Sequence, residues 1–122
     1  MKSMPKISES EWLVMKEIWG EHPITANDVV GALSGTTTWS PKTIKTLLTR
    51  LVKKGAVGYE AQGREYHYYP LIEEDVLVKE ESRSFLKRVF GGTIKPMLAT
   101  LVESEDLSDE DIEELKRILE KK

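Results

Sequence analysis

Five cations and three threonines between Lys42 and Lys54 carry the chemistry of this chain. Lys42, Lys45, Arg50, Lys53 and Lys54 alternate with Thr43, Thr46 and Thr49, and the run holds no carboxylate. Ammonium and guanidinium groups with hydroxyls between them suit a polyanion. On double-stranded DNA, Arg and Lys reach guanine edges and phosphates, and Thr meets thymine methyls or phosphates. Spacing sorts the groups. Ile44, Leu47, Leu48, Leu51 and Val52 recur at i, i+3, i+4, i+7 and i+8, so a helix here buries one apolar stripe. Lys42, Thr46, Thr49 and Lys53 then point away from the stripe, with Lys45 and Arg50 on its flanks. Lys42, Thr43, Thr46 and Arg50 are the predicted base-reading residues. Lys45, Thr49, Lys53, Lys54 and the later Arg64 are predicted to position the DNA backbone. A basic face that merely meets water is the alternative.

The ends of the segment frame it as a helix. Ser40 stands where an N-cap belongs and Pro41 at the first helical position, where its missing N–H costs nothing. Gly55 follows the last cations and suits the left-handed conformation that closes a helix. Free N–H groups from Ser40 to Thr43 add an attraction for phosphate. Trp39 either packs against sugar or anchors the helix start. Upstream, Ser8-Glu9-Ser10-Glu11 reads as a capping box opening a first helix. Trp12, Met15, Ile18 and Trp19 mark its inner face, and Gly20 and Pro23 end it. Thr25-Ala26-Asn27-Asp28 is a second box, ahead of a short helix with Val29, Val30 and Leu33 inward. Gly35 and Thr36 to Thr38 turn the chain into the basic helix. Helix, helix, turn, helix is the order of a helix-turn-helix domain.

Downstream, Val57 to Glu60 and Tyr66 to Tyr69 are short β-prone runs around Gln62-Gly63, ended by Pro70. They predict a β-hairpin wing with Arg64 at its tip. From Ile72 the pattern is helical again. Leu86, Val89 and Phe90 close one helix before Gly91-Gly92, and Ile94, Met97, Leu98, Leu101 and Val102 line the next. Pro96 requires its position to fall in that helix's first turn. Ser108 caps a last helix lined by Ile112, Leu115, Ile118 and Leu119, acidic at its start and basic at Lys116, Arg117, Lys121 and Lys122. Three short amphipathic helices bury too little to stand alone; packing back on the first domain is one solution, and a second copy is the expected one. The fold class is therefore mainly α: a winged helix-turn-helix domain over residues 1–71, and a three-helix dimerisation region over residues 72–122.

Charge divides along the same line. Residues 1–71 carry 9 basic and 7 acidic side chains, residues 72–122 carry 9 basic and 14 acidic, and the whole chain is −3. Fields are screened over roughly 8–10 Å, so the local balance sets a binding footprint and the net charge does not. The 122 residues include no cysteine, which excludes disulfides, thiolate metal sites and a cysteine nucleophile. His22 and His67, the only histidines, have no metal-ligand spacing. No glycine-rich phosphate loop is present, and the acidic runs read as solvated faces. No enzyme, no metal and no cofactor are expected. No run approaches the roughly 20 apolar residues of a membrane span, and no signal-peptide core opens the chain. A cytoplasmic protein that does not insert in a membrane is the expectation. The rival reading from another class is a winged-helix module that binds protein rather than DNA.

With these parts in place the chain resembles the penicillinase repressors, the BlaI/MecI family of bacterial winged-helix proteins. The likeness rests on Ile7-Ser8, Glu11-Trp12, Val14-Met15 and Ile18-Trp19, on Trp39 through Ile44, on Thr46-Leu47 and Thr49-Arg50-Leu51, and on Lys53-Lys54-Gly55. It continues in Glu105 to Ser108 and Ile112 to Leu115. The resemblance implies a homodimer on a pseudo-palindromic operator, blocking transcription of β-lactam resistance genes. It further implies a membrane sensor whose signal leads to cleavage and release of the repressor. In relatives the cut falls at an Asn-Phe bond, and the corresponding pair here is Thr100-Leu101. That departure leaves a different release mechanism, or different target genes, open. Copper-responsive repressors of similar N-terminal domain use a cysteine-rich tail, which this chain lacks.

Overall fold

The computed structural model describes residues 4–121; residues 1–3 and Lys122, the last of the cations expected at the final helix end, lie outside the described residues. The chain forms two compact units, the first ending at Val78 and the second starting at Lys79.

In the first unit, helix α1 (Glu9–Gly20) opens on the capping box read from the sequence, Ser8 accepting from the Glu11 N–H and Glu11 from the Ser8 N–H. Its buried face is Glu11, Val14, Met15 and Ile18, one i, i+3, i+4, i+7 stripe. Trp12 and Trp19 are not central to that face but pack at its edge, half-buried. Indole N–H groups need a partner, and the Trp19 Nε1–H donates to the Ile72 carbonyl at 3.0 Å. Strand β1 (Ile24–Thr25) leads into α2 (Ala26–Leu33), capped reciprocally by Thr25 and Asp28. Helix α3 (Pro41–Lys53) follows, with Ser40 as N-cap and Pro41 at its start. Ile44, Leu47, Leu48 and Leu51 are buried and Val52 half-buried, the predicted stripe. Gly55, at φ +80, then turns the chain away as a helix-closing glycine does.

Strands β2 (Val57–Gln62) and β3 (Glu65–Pro70) pair antiparallel around a two-residue turn in which Gly63 holds φ +64. The sheet order is β1-β3-β2, so the predicted hairpin gains a third strand through Ile24 opposite Tyr68 and Thr25 opposite His67. Two residues are too few to show period-2 alternation, which is why the sequence hid β1. Gly58, opposite Tyr69, permits a close approach: a Cβ there would lie 2.8 Å from the Tyr69 ring. The core joins Ile7, the stripes of α1 to α3, Ile24, Ala56, Val57 and Leu77. Leu77 belongs to α4 (Glu74–Phe90), whose first turn thus seals this core, and the boundary between the units falls inside that helix.

In the second unit, α5 (Ile94–Glu103) holds Pro96 in its first turn, where no intrahelical N–H is lost. Helix α6 (Asp109–Glu120) starts on a capping box made by Ser108 and Asp111. No side chain described in α5 or α6 is buried. Ile94, Val102, Ile118 and Leu119 are all about half exposed or more, at 51%, 47%, 55% and 63%. The apolar stripes foreseen in these helices therefore form no closed core of their own.

Candidate nucleic-acid interface

The interface is built by burying one side of α3. Once Ile44, Leu47, Leu48 and Leu51 enter the core, Lys42, Lys45, Thr46, Thr49, Arg50 and Lys53 are left exposed, and these six line one shallow surface concavity. No carboxylate lines it. Side chains of one sign along this face give the concavity a positive field that favours a polyanion.

The threonines are more constrained than their type suggests. Thr46 donates its hydroxyl proton to the Lys42 carbonyl and Thr49 to the Lys45 carbonyl, both at 3.0 Å. Hydroxyls bonded back in this way offer lone pairs and methyl groups outward, not a proton. They suit a thymine methyl or an exocyclic amine better than a phosphate oxygen. Thr43 is used differently. Its N–H donates to Ser40 Oγ, and the two hydroxyls lie 3.1 Å apart, so Thr43 is tied to the helix start.

Arg64 sits at the wing turn and shares a second concavity with Lys45 and Thr49. The wing tip and the helix flank therefore meet one continuous surface. Lys54 does not join them. Its ammonium lies 2.5 Å from Glu11 Oε1 and 2.6 Å from the Lys6 carbonyl, tying the end of α3 to the start of α1. At 100° per residue Lys54 falls about 20° from Leu47 and far from Lys53, so its side chain leaves the helix beside the core. Glu11 is 1% exposed. Burial pushes its pKa up, but the Lys54 hydrogen bond, the Ser8 N–H and hydroxyl and the Lys54 charge outweigh that and leave it lowered. The glutamate is thus an anion held inside the fold, and Lys54 is its counter-ion. An acid at a stripe position, Glu11 in register with Val14, Met15 and Ile18, was the sequence signal for this pair.

On the wing, Tyr59, Tyr66 and Tyr68 cluster on one face, with Tyr59 and Tyr66 ring centroids 4.6 Å apart and Tyr59 and Tyr68 6.0 Å apart. Burial, then the neighbouring Tyr66 and Tyr59, raise the Tyr68 pKa, so this phenol stays neutral at physiological pH. Among the described residues, no group of His, Asp or Glu gathers in a way that holds a metal, and no helix is long and apolar enough to cross a membrane.

A family profile described as penicillinase repressor matches residues 7–121. This chain belongs to the penicillinase repressor family. It is 47% identical over 120 residues to the penicillinase repressor of Bacillus licheniformis, covering 98% of this chain and 94% of that one. To the methicillin resistance regulatory protein MecI of Staphylococcus aureus it is 40% identical over 117 residues, covering 96% and 95%. The solution structure of monomeric B. licheniformis BlaI in complex with the blaP half-operator matches with a TM-score of 0.53 at 51% identity, over 62% of this chain and 92% of that one. The family's winged helix is thus the architecture of the first unit.

Proposed function

We propose that this member of the penicillinase repressor family represses transcription by laying α3 in the major groove of an operator, two copies binding one pseudo-palindromic site. The observation that carries the proposal is the face of α3: six exposed cations and threonines in one concavity, free of carboxylate, on a helix fixed from behind by its buried stripe. The BlaI complex with a half-operator supports it from a relative. Lys42, Thr46 and Arg50 are assigned to base edges, where each good contact contributes about 1–3 kcal/mol of discrimination. Thr43 joins them at the helix start. Lys45, Lys53 and Arg64 position the backbone through phosphates, and Thr49, whose hydroxyl proton goes to the Lys45 carbonyl, contributes its methyl group to the sugar wall beside them. Lys54 contributes through the fold, as the partner of Glu11. No catalysis is needed, since occupancy of an operator excludes polymerase, and the site of action is the cytoplasm.

The second unit is assigned to dimerisation, within the three-helix region 72–122 that follows the winged helix of residues 1–71. Support comes from Ile94 and Val102 on α5 and Ile118 and Leu119 on α6, apolar side chains that stay about half exposed or more. Release is assigned to a sensor and protease pathway, with Thr100-Leu101, which departs from the relatives' Asn-Phe pair, as its candidate bond, and a different release signal as the alternative. That bond lies inside α5, where the Thr100 hydroxyl donates to the Pro96 carbonyl, so cleavage demands local unwinding first. β-Lactam resistance genes are the proposed targets.

Footprinting on the chain's own upstream region, at moderate and high salt, tests the reading. A two-fold symmetric footprint that fades steeply with salt is expected from counterion release. A protein-binding module would give no footprint there or in a genome-wide selection, and would tolerate loss of the α3 cations.

A further inference from the structure

Lys45 and Thr49 belong to two concavities at once, and the second has a wall that the assignments above leave unused. Besides Arg64 it includes Asn27 in the first turn of α2 and Glu65 and Tyr66 on β3. The position of this wall matters. The major groove is about 12 Å wide and a helix with its side chains about 10–12 Å across, so an element standing beyond the helix flank meets a sugar–phosphate wall. Lys45 is a flank residue and Thr49 adjoins it in the second concavity, so whatever stands beyond them faces a backbone strand.

Tyr66 is built to stand there. Its ring is half exposed, at 50%, yet oriented by Tyr59 at 4.6 Å and by Tyr68, edge-on at 6.5 Å. Aromatic neighbours on both strands fix the ring and reduce the entropy lost when its hydroxyl meets a ligand. Asn27 adds an amide, Arg64 and Lys45 add charge, and Glu65 is the single anion of the set.

We propose that this concavity is a docking site for the phosphodiester backbone of one DNA strand, with the Tyr66 hydroxyl and the Asn27 amide as donors beside Lys45 and Arg64. Glu65 works against it, lowering affinity for any phosphate and so moderating backbone binding on all sequences alike. The site rests on the DNA-binding function proposed above and extends it to residues with no basic side chain.

Anisotropy titration of the full chain with a labelled operator duplex from the footprint tests it, using Tyr66→Phe, Glu65→Gln and, as reference, Arg50→Ala. Tyr66→Phe keeps the ring packing and removes only the hydroxyl, and thermal melting checks that the fold is unchanged. It should weaken binding by about tenfold or more, as loss of one hydrogen bond to a charged group does. The loss should be equal on operator and scrambled duplex, because a phosphate carries no sequence. Glu65→Gln should tighten binding on both. If either variant binds as the parent does while Arg50→Ala loses affinity, the backbone site is overturned and the α3 assignment stands. If the parent chain itself binds no duplex, both fall together.

Discussion

At the scale of single residues, the cations of 42–54 divide into those that face outward and one that faces the fold. Arg50 is outward, exposed and without a carboxylate partner among the described residues. Arg50→Ala should weaken operator binding by about 1–3 kcal/mol and relax preference at the base pair it reads, with the melting temperature unchanged. An unaltered affinity would remove Arg50 from the interface. Lys54 should behave in the opposite way. Lys54→Met leaves Glu11 buried without its counter-ion and should cost about 1–3 kcal/mol of stability. Because the Glu11 pKa is lowered by the fold, its contribution is full above the ordinary glutamate value near about 4.3 and is lost as pH falls through the lowered one. Urea denaturation from pH 7 to pH 3 checks this. Glu11→Gln should flatten the acid limb of the stability curve, and an unchanged limb would show that other carboxylates set it.

At the scale of elements, α3 was legible in the sequence to the residue. Its stripe, its Ser40-Pro41 start and its glycine stop each answer a local requirement of an isolated helix, and local requirements are what spacing records. The family likeness in Trp39 to Gly55 pointed to the same helix. Lys54 was less legible because its partner lies 43 residues upstream, a contact that only tertiary packing creates. The wing wall at Tyr66 was hidden for the same reason, since tertiary packing and not composition brings it beside α3. Gly58 shows how tightly that register is set. A methyl there meets the Tyr69 ring at 2.8–2.9 Å, so Gly58→Ala should destabilise the winged helix by about 1–3 kcal/mol through overpacking. Thermal melts in wild-type and Tyr69→Leu backgrounds decide it. The cost should shrink once the ring is gone, and an equal cost in both would place the strain elsewhere.

At the scale of the whole molecule, a single winged helix reads half a symmetric operator, and only a linked pair reads both halves. Half-sites on one face of DNA lie one helical turn apart, about 34–36 Å, or a multiple of it. Linking two copies turns the second binding event into an intramolecular one, which raises affinity without a new DNA contact. In the dimer proposed above, the unit from Lys79 onward supplies the link, since among the described residues of α5 and α6 no apolar side chain is buried. Leu115, half-buried on α6 beside Leu107 and Ile118, is the position at which to break it. Leu115→Asp puts a carboxylate where burial against a second copy would leave it unpaired, a cost large enough to oppose association. Sedimentation should then find a monomer, while the winged helix, whose core lies in the other unit, melts as before. Binding to a full operator should fall steeply and binding to a half-operator should not, because each α3 face is intact. A variant that still sediments as a dimer would move the interface to other residues. One that is monomeric yet binds the full operator as the parent does would separate dimerisation from DNA recognition altogether.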